Sequence, residues 1–166
     1  MILSIDQGTT NTKAALVDEG GQVVASGSAP VGLASPRPGW VEQDADEIWS
    51  SALTAVADCR AAGPDSALAG VTVANQRESV VAWRRSTGEP LGPVIGWQDQ
   101  RTAPRCTRLA TPEADERVRA RTGLRIDAMF SGPKFRWLLD QLEDVPTPEV
   151  CLGTVDAWLV WRLTGG

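Results

Sequence analysis

The chain has 166 residues, 42% apolar and 22% charged, with 16 basic and 21 acidic side chains, a net charge of -5 and a pI near 4.8. That length suits one domain with a sizeable core, and the composition is that of a folded soluble protein. The acidic balance argues against nucleic acid or an anionic membrane as the main partner. The absence of histidine removes every histidine base and Ser-His or Cys-His nucleophile.

In chain order, Ile2 to Ile5 is a short apolar run ending at Asp6. Gly8-Thr9-Thr10-Asn11-Thr12-Lys13 follows, then a second apolar run, Ala14 to Val17. This spacing predicts two strands joined by a tight turn, where Gly8 tolerates the positive φ that such a turn often needs and lets a ligand approach the backbone closely. On the residues alone the turn is either an ordinary polar hairpin tip or a nest of N–H and hydroxyl donors suited to phosphate. Asp6 is placed to hold a hydrated Mg2+ beside such a phosphate. Lys13 is either a phosphate contact or a solvated strand lysine.

Asp18 to Gln22 predicts a turn, and Val23 to Gly27 a third strand, completing a meander over residues 1–30. Residues 30–43 are proline-rich and expected to be irregular. Asp44 is a candidate N-cap with Glu47 as its capping-box partner, opening a helix of about 16 residues to Ala62 on the spacing of Ile48, Ala52, Val56 and Cys59. Leu68 to Ala74 predicts a buried strand. Ser79 to Trp83 and Val94 to Trp97 predict two more strands around a hairpin. Helices are expected over about 102–110, 112–121 and 131–143, then a short strand at Val150 to Leu152 and a helix from Thr154. The whole reads as α/β, a mixed sheet with an antiparallel edge flanked by helices.

Charged and polar residues collect where strands end, the usual place for ligands in open α/β sheets. Arg77-Glu78 is either an exposed ion pair or a donor–acceptor pair for vicinal hydroxyls. Trp97 is either core or a flat wall for a carbon chain. No GxxxxGK[ST] or GxGxxG phosphate motif is present. Cys59, Cys106 and Cys151 show no metal-site spacing, and unpaired cysteines without an export signal fit a cytoplasmic protein. No apolar stretch approaches the roughly 20 residues that span a bilayer.

Asp6-Gln7-Gly8-Thr9-Thr10-Asn11-Thr12-Lys13, Pro38-Gly39-Trp40-Val41-Glu42-Gln43-Asp44 and Asn75-Gln76-Arg77-Glu78-Ser79 together resemble the N-terminal domain of FGGY carbohydrate kinases, most closely the glycerol kinases among them. Trp97 to Arg101, Thr122 to Leu124, Phe130 to Lys134 and Gly153 to Leu159 extend the resemblance, in order, across the chain. It implies an actin/hexokinase-like (ribonuclease H-like) ATPase domain, with residues 1–166 the N-terminal half of a two-domain kinase. It further implies ATP and Mg2+ as cofactors, with Asp6 near the metal and Thr9, Thr10, Asn11 and Lys13 facing the nucleotide phosphates. Arg77, Glu78, Trp97 and Met129 are the implied contacts to a small polyol or sugar. The catalytic aspartate and the adenosine contacts are expected beyond Gly166, in a C-terminal kinase domain that is the implied partner, so the fragment alone is expected to be inactive. A homo-oligomer is compatible with the resemblance.

Two positions depart from the glycerol kinase pattern. Met129 stands where a substrate-contacting tyrosine is usual, and Lys13 where arginine is frequent. A xylulose- or erythritol-type kinase, or a non-catalytic domain of the same fold, therefore stand as the alternatives.

Overall fold

A computed structural model describes the whole chain, Met1–Gly166. β1 (Ile2–Gln7), β2 (Asn11–Val17) and β3 (Val23–Pro30) form the expected antiparallel meander, in register from Ile2 opposite Val17 to Gln7 opposite Thr12. Alternation puts Leu3, Ile5, Ala14 and Leu16 inside and Asp6 and Lys13 outside. Asp6 and Lys13 are direct cross-strand partners, so both rise from one face of the sheet.

α1 (Ala45–Ala62) lies across β2 and β3, burying Ile48, Ala52, Ala55 and Cys59. A Cβ on Gly27 would stand 2.3 Å from the Ala55 carbonyl oxygen, so this strand position carries helix backbone directly against it. Asp44 caps α1 by accepting from the Glu47 N–H at 3.0 Å. The reciprocal half of the expected capping box is not formed, because the Glu47 carboxylate instead accepts from the Gly32 N–H at 2.8 Å.

β5 (Gly70–Asn75) returns parallel to β1 and gives the sheet order β3-β2-β1-β5. It is not the buried strand that its apolar residues suggested. It is an edge strand, and Val71 is 48% exposed because nothing covers its outward face. Val73 alone packs against the core.

The first sheet is thus the expected mixed one, and a turn at Arg77 and Glu78 then directs the chain into a second sheet beside it. β6 (Val80–Arg84) is its centre, flanked by β7 (Val94–Ile95) and β8 (Val150–Thr154), with β4 (Glu42–Gln43) outermost in the order β4-β7-β6-β8, all antiparallel. β4 falls in the proline-rich stretch expected to be irregular. Its pairing is supplied by β7, some fifty residues later.

Val80, Val81, Ala82 and Trp83 are all buried because both faces of β6 are covered. α4 (Ser131–Gln141) packs Leu138 on Val80, Ala82 and Ile95. α5 (Val155–Thr164) places Trp158 and Leu159 against Val81, Trp83, Ile5 and Ile48, joining the two sheets through one core. α2 (Ala103–Leu109) and α3 (Pro112–Thr122) lie outside, and α3 buries no residue. Trp83, Trp158 and Trp161 form one aromatic cluster with ring centroids 5.5 to 6.5 Å apart. No helix is long and apolar enough to cross a membrane.

Candidate active site

The ends of β1 and β5, the turn between β5 and β6, the loop just after β7 and the segment before α4 meet around one open cavity of about 650 Å3. Asp6, Gly8 and Thr9 line one side; Arg77, Glu78 and Trp97 another; Leu124, Met129 and Phe130 close the third. Six of the nine candidate site residues are thereby within or at the rim of one space. Thr10, Asn11 and Lys13 sit outside its lining, on the turn and on β2. A second concavity of similar volume is lined by Glu42, Asp44, Asp46, Glu47 and Glu89, an acidic surface that repels phosphate.

The turn Gly8–Asn11 is closed by the Gly8 N–H donating to the Asn11 carbonyl at 2.9 Å. Gly8 does not adopt the positive φ that such a turn often needs. Its lack of a side chain matters for space instead, since a Cβ would stand 3.0 Å from the Asn11 oxygen. With its amide nitrogen turned toward the Thr10 and Ala29 carbonyls, both at 3.2 Å, Asn11 braces the turn against β3. The N–H groups of Thr9 and Thr10 and the Thr10 hydroxyl donate to no protein acceptor. They are the free donors that an anion would meet.

Beneath the turn lies a buried polar network that sequence reasoning did not single out. Gln76 donates from Nε2 to Gln7 Oε1 at 2.9 Å and to Gln43 Oε1 at 2.7 Å, and accepts at Oε1 from the Ser79 hydroxyl at 2.9 Å. Gln43 in turn donates to the Thr9 and Gly32 carbonyls. Ser79 Oγ accepts from the Trp97 N–H at 3.0 Å. Each amide has one consistent orientation, so the network is a relay of fixed polarity from the threonine turn to the tryptophan. Gln7, Gln43, Gln76 and Ser79 are all buried, where an unmade hydrogen bond is expensive. Polar residues at the ends of apolar strands were the only available signal.

Trp97 is 38% exposed and presents its ring to the cavity, while its indole N–H donates to Thr9 Oγ1 at 3.1 Å. It is therefore a wall of the site and not core. Its backbone is held by the segment that follows: the buried Asp99 carboxylate accepts from the Val41 and Arg101 N–H groups and from the Arg101 guanidinium. That guanidinium also bonds Glu42 at 2.7 Å and lies between the rings of Trp40 and Trp137, 3.8 and 4.7 Å from their centroids.

Arg77 and Glu78 do not pair with each other. Arg77 is exposed and makes no ion pair. Glu78 has φ of 69°, the one non-glycine residue in the left-handed region. One of its oxygens, Oε2, accepts from the Ser131 N–H and hydroxyl at 2.8 and 2.7 Å, while Oε1 accepts from no protein donor. Lys134, fully buried on α4, donates to the Glu78 carbonyl at 3.0 Å and to the Met129 carbonyl. Burial holds its ammonium down at about 8, opposed by the charges of Glu78, Asp99 and Asp127 and by Cys106. The amphipathic pattern of α4 gave no sign of a buried lysine.

Set beside known proteins, the model of the FGGY family of carbohydrate kinases, N-terminal domain, matches residues 1–166. The glycerol kinases of Bacillus cereus (strain AH187) and Bacillus thuringiensis (strain Al Hakam) are each 43% identical to the chain over 171 residues, covering 99% of it and 34% of their own length. Among solved structures, Plasmodium falciparum glycerol kinase with ADP superposes with a TM-score of 0.88 at 28% identity, over 99% of this chain and 34% of that one. A xylulose kinase from Rhodospirillum rubrum also reaches 0.88 at 28%, over 98% and 34%. The chain thus spans about a third of the length of the relatives it matches. The fold is the actin/hexokinase-like ATPase fold, and the chain belongs to the FGGY family of carbohydrate kinases, as its N-terminal domain.

Proposed function

We propose that this chain serves as the N-terminal part of an ATP-dependent kinase that phosphorylates a glycerol-like polyol. The observation that carries the reading is the cavity itself. Free N–H donors at the Thr9–Thr10 turn lie to one side of it, and an unpaired guanidinium, a half-free carboxylate and an exposed indole line the rest. Arg77 donates to, and Glu78 Oε1 accepts from, neighbouring hydroxyls, a pattern that vicinal diols complement. Trp97 backs the carbon chain, and Met129 adds an apolar contact.

Thr9 and Thr10 face the phosphates of ATP, with Asn11 stabilising their turn and Lys13 adding positive charge from β2. Asp6 is exposed, lines the cavity, and belongs to no cluster of metal-binding side chains. A single carboxylate fits Mg2+ held mostly by water and phosphate oxygens, and does not fit an all-protein cage. Asp6 would hold the ion there, and the chemistry it would supply is neutralisation of phosphoryl charge. The protein's own residues supply orientation: Glu78 and Arg77 fix which hydroxyl points at the phosphate turn, and the glutamine relay fixes the distance between the two.

The base that takes the hydroxyl proton and the contacts to adenosine are assigned to a further domain, as the family resemblance implies; the chain spans only about a third of the length of its relatives. Residues 1–166 alone are accordingly expected to transfer no phosphate. The test is a panel of glycerol, erythritol, D-xylulose and D-gluconate with the full-length protein, scored by kcat/KM. A ketopentose preferred over glycerol would sink the glycerol-like assignment. One observation favours a longer polyol as the second reading: Met129, 38% exposed at the cavity, offers no hydroxyl contact of its own.

A further inference from the structure

Glu78 occupies a backbone conformation that costs a side-chain-bearing residue on the order of 1–2 kcal/mol, and it does so at the cavity. Strain of this kind persists only where the surroundings over-determine it, and here the surroundings can be named. All the side-chain contacts come from one short stretch at the start of α4. Ser131 grips the carboxylate with two donors, and Lys134, one turn on, grips the carbonyl of the same residue.

Lys134 is the more unusual of the two. An ammonium is rarely buried without a carboxylate touching it. This one makes no ion pair, and both of its protein acceptors are backbone carbonyls, those of Glu78 and Met129. Glu78 and Met129 both line the cavity and are fifty-one positions apart in the chain, and their carbonyls meet on the one ammonium. A charge spent on joining two cavity residues and nothing else has a reason in the site more than in the core. A leucine or methionine at the same position of α4 would pack against β6 without that desolvation cost.

We propose that Lys134 and Ser131 are positioning residues for polyol recognition. They hold Glu78 in its left-handed conformation, with Oε2 occupied by Ser131 and Oε1 presented to a substrate hydroxyl, and Lys134 ties the backbone of Met129 to that of Glu78. The inference rests on the polyol-kinase reading for the identity of the ligand, but the clamp on Glu78 stands on geometry alone.

Two readouts on the full-length protein separate these. Crystal structures of wild type, K134M and S131A read Glu78 directly. In K134M, Glu78 is expected to leave the left-handed region and its carboxylate to leave Ser131; in S131A the carboxylate alone is expected to turn. Glu78 unchanged in both variants overturns the clamp, whatever the protein phosphorylates.

Steady-state kinetics then test the consequence. K134M is expected to raise KM for the polyol by about tenfold, the scale of losing charge-assisted hydrogen bonds, with KM for ATP within about twofold. In an E78A background the same change is expected to add almost nothing, because effects acting through one residue are not additive. Equal losses for polyol and ATP, or an undiminished K134M effect in E78A, would make Lys134 a structural residue only. S131A, which removes one hydroxyl and leaves the helix intact, gives the same reading if K134M does not fold, with an expected rise of about threefold confined to the polyol. A wild-type protein that phosphorylates no polyol contradicts the functional reading, and the crystal structures still decide the clamp.

Discussion

Replacing Gln76 with leucine removes the hub of the buried relay while nearly preserving side-chain volume. Three hydrogen bonds of 2.7 to 2.9 Å are lost, leaving Gln7 Oε1 and Gln43 Oε1 without a donor and the Ser79 O–H without an acceptor. A buried polar group left unsatisfied costs about 1–3 kcal/mol. Three of them amount to roughly 3–9 kcal/mol, reduced by the 1.5–3 kcal/mol or so that a buried leucine returns. With mid-range values the expected net loss is about 4 kcal/mol, a large share of the roughly 5–15 kcal/mol that stabilises a domain of this kind. Urea unfolding followed by tryptophan fluorescence measures it, provided the slope against urea is unchanged. Because Gln7 Oε1 depends on Gln76 alone, adding Q7L to Q76L should cost about 1 kcal/mol less than the two single losses summed. A Q76L protein destabilised by under about 1 kcal/mol, or strict additivity with Q7L, would refute the view that these amides form one satisfied network.

Three further outcomes follow from the same geometry. R101K keeps the charge but loses the fork that bonds Asp99 and Glu42 and stacks between Trp40 and Trp137, so a loss of about 2–3 kcal/mol in urea unfolding is expected; a loss within about 0.5 kcal/mol contradicts it. G27A drives a methyl into the α1 backbone at Ala55 and Cys59, and should cost about 1–3 kcal/mol by calorimetry; an unchanged Tm contradicts the close contact. Lys134 titrates at about 8 in the folded chain against an ordinary 10.5. Between those values the unfolded chain holds the extra proton, so stability rises with pH there, whereas below pH 8 the burial penalty is constant. The stability difference between wild type and K134M should therefore move in favour of wild type by up to roughly 3 kcal/mol from pH 8 to 10.5. A difference that is flat or falls would contradict the buried ammonium.

Local features of this fold were readable without coordinates, and long-range ones were not. The meander, the Asp44 cap and α1 rest on alternation, turn residues and helical spacing within a few positions of each other, and they stand where expected. The capping box failed at Glu47 because its carboxylate accepts instead from the Gly32 N–H, a tertiary donor that no local pattern contains. The second sheet was hidden for the same reason: β8 joins β6 some seventy residues after it. β5 looked buried because its residues are apolar, yet strand composition does not reveal which strand stands at an edge.

The site divides along the same line. Asp6, Gly8, Thr9, Arg77, Glu78 and Trp97 could be singled out because polar or aromatic residues at strand ends carry a signal, and Met129 only through the family resemblance; all seven line one cavity. What holds them was not legible. Gln7, Gln43, Gln76 and Lys134 are polar side chains whose burial makes sense only once their partners, up to 69 positions away, are beside them.

The most direct test of the account is a crystal structure of the full-length protein with glycerol bound. The account places glycerol in the cavity of this chain, its vicinal hydroxyls bonded to Arg77 and to Glu78 Oε1, its carbons against Trp97, and one terminal hydroxyl toward the Thr9–Thr10 turn. Glycerol bound with Arg77 and Glu78 uninvolved, or occupying only a site outside this cavity, would contradict it.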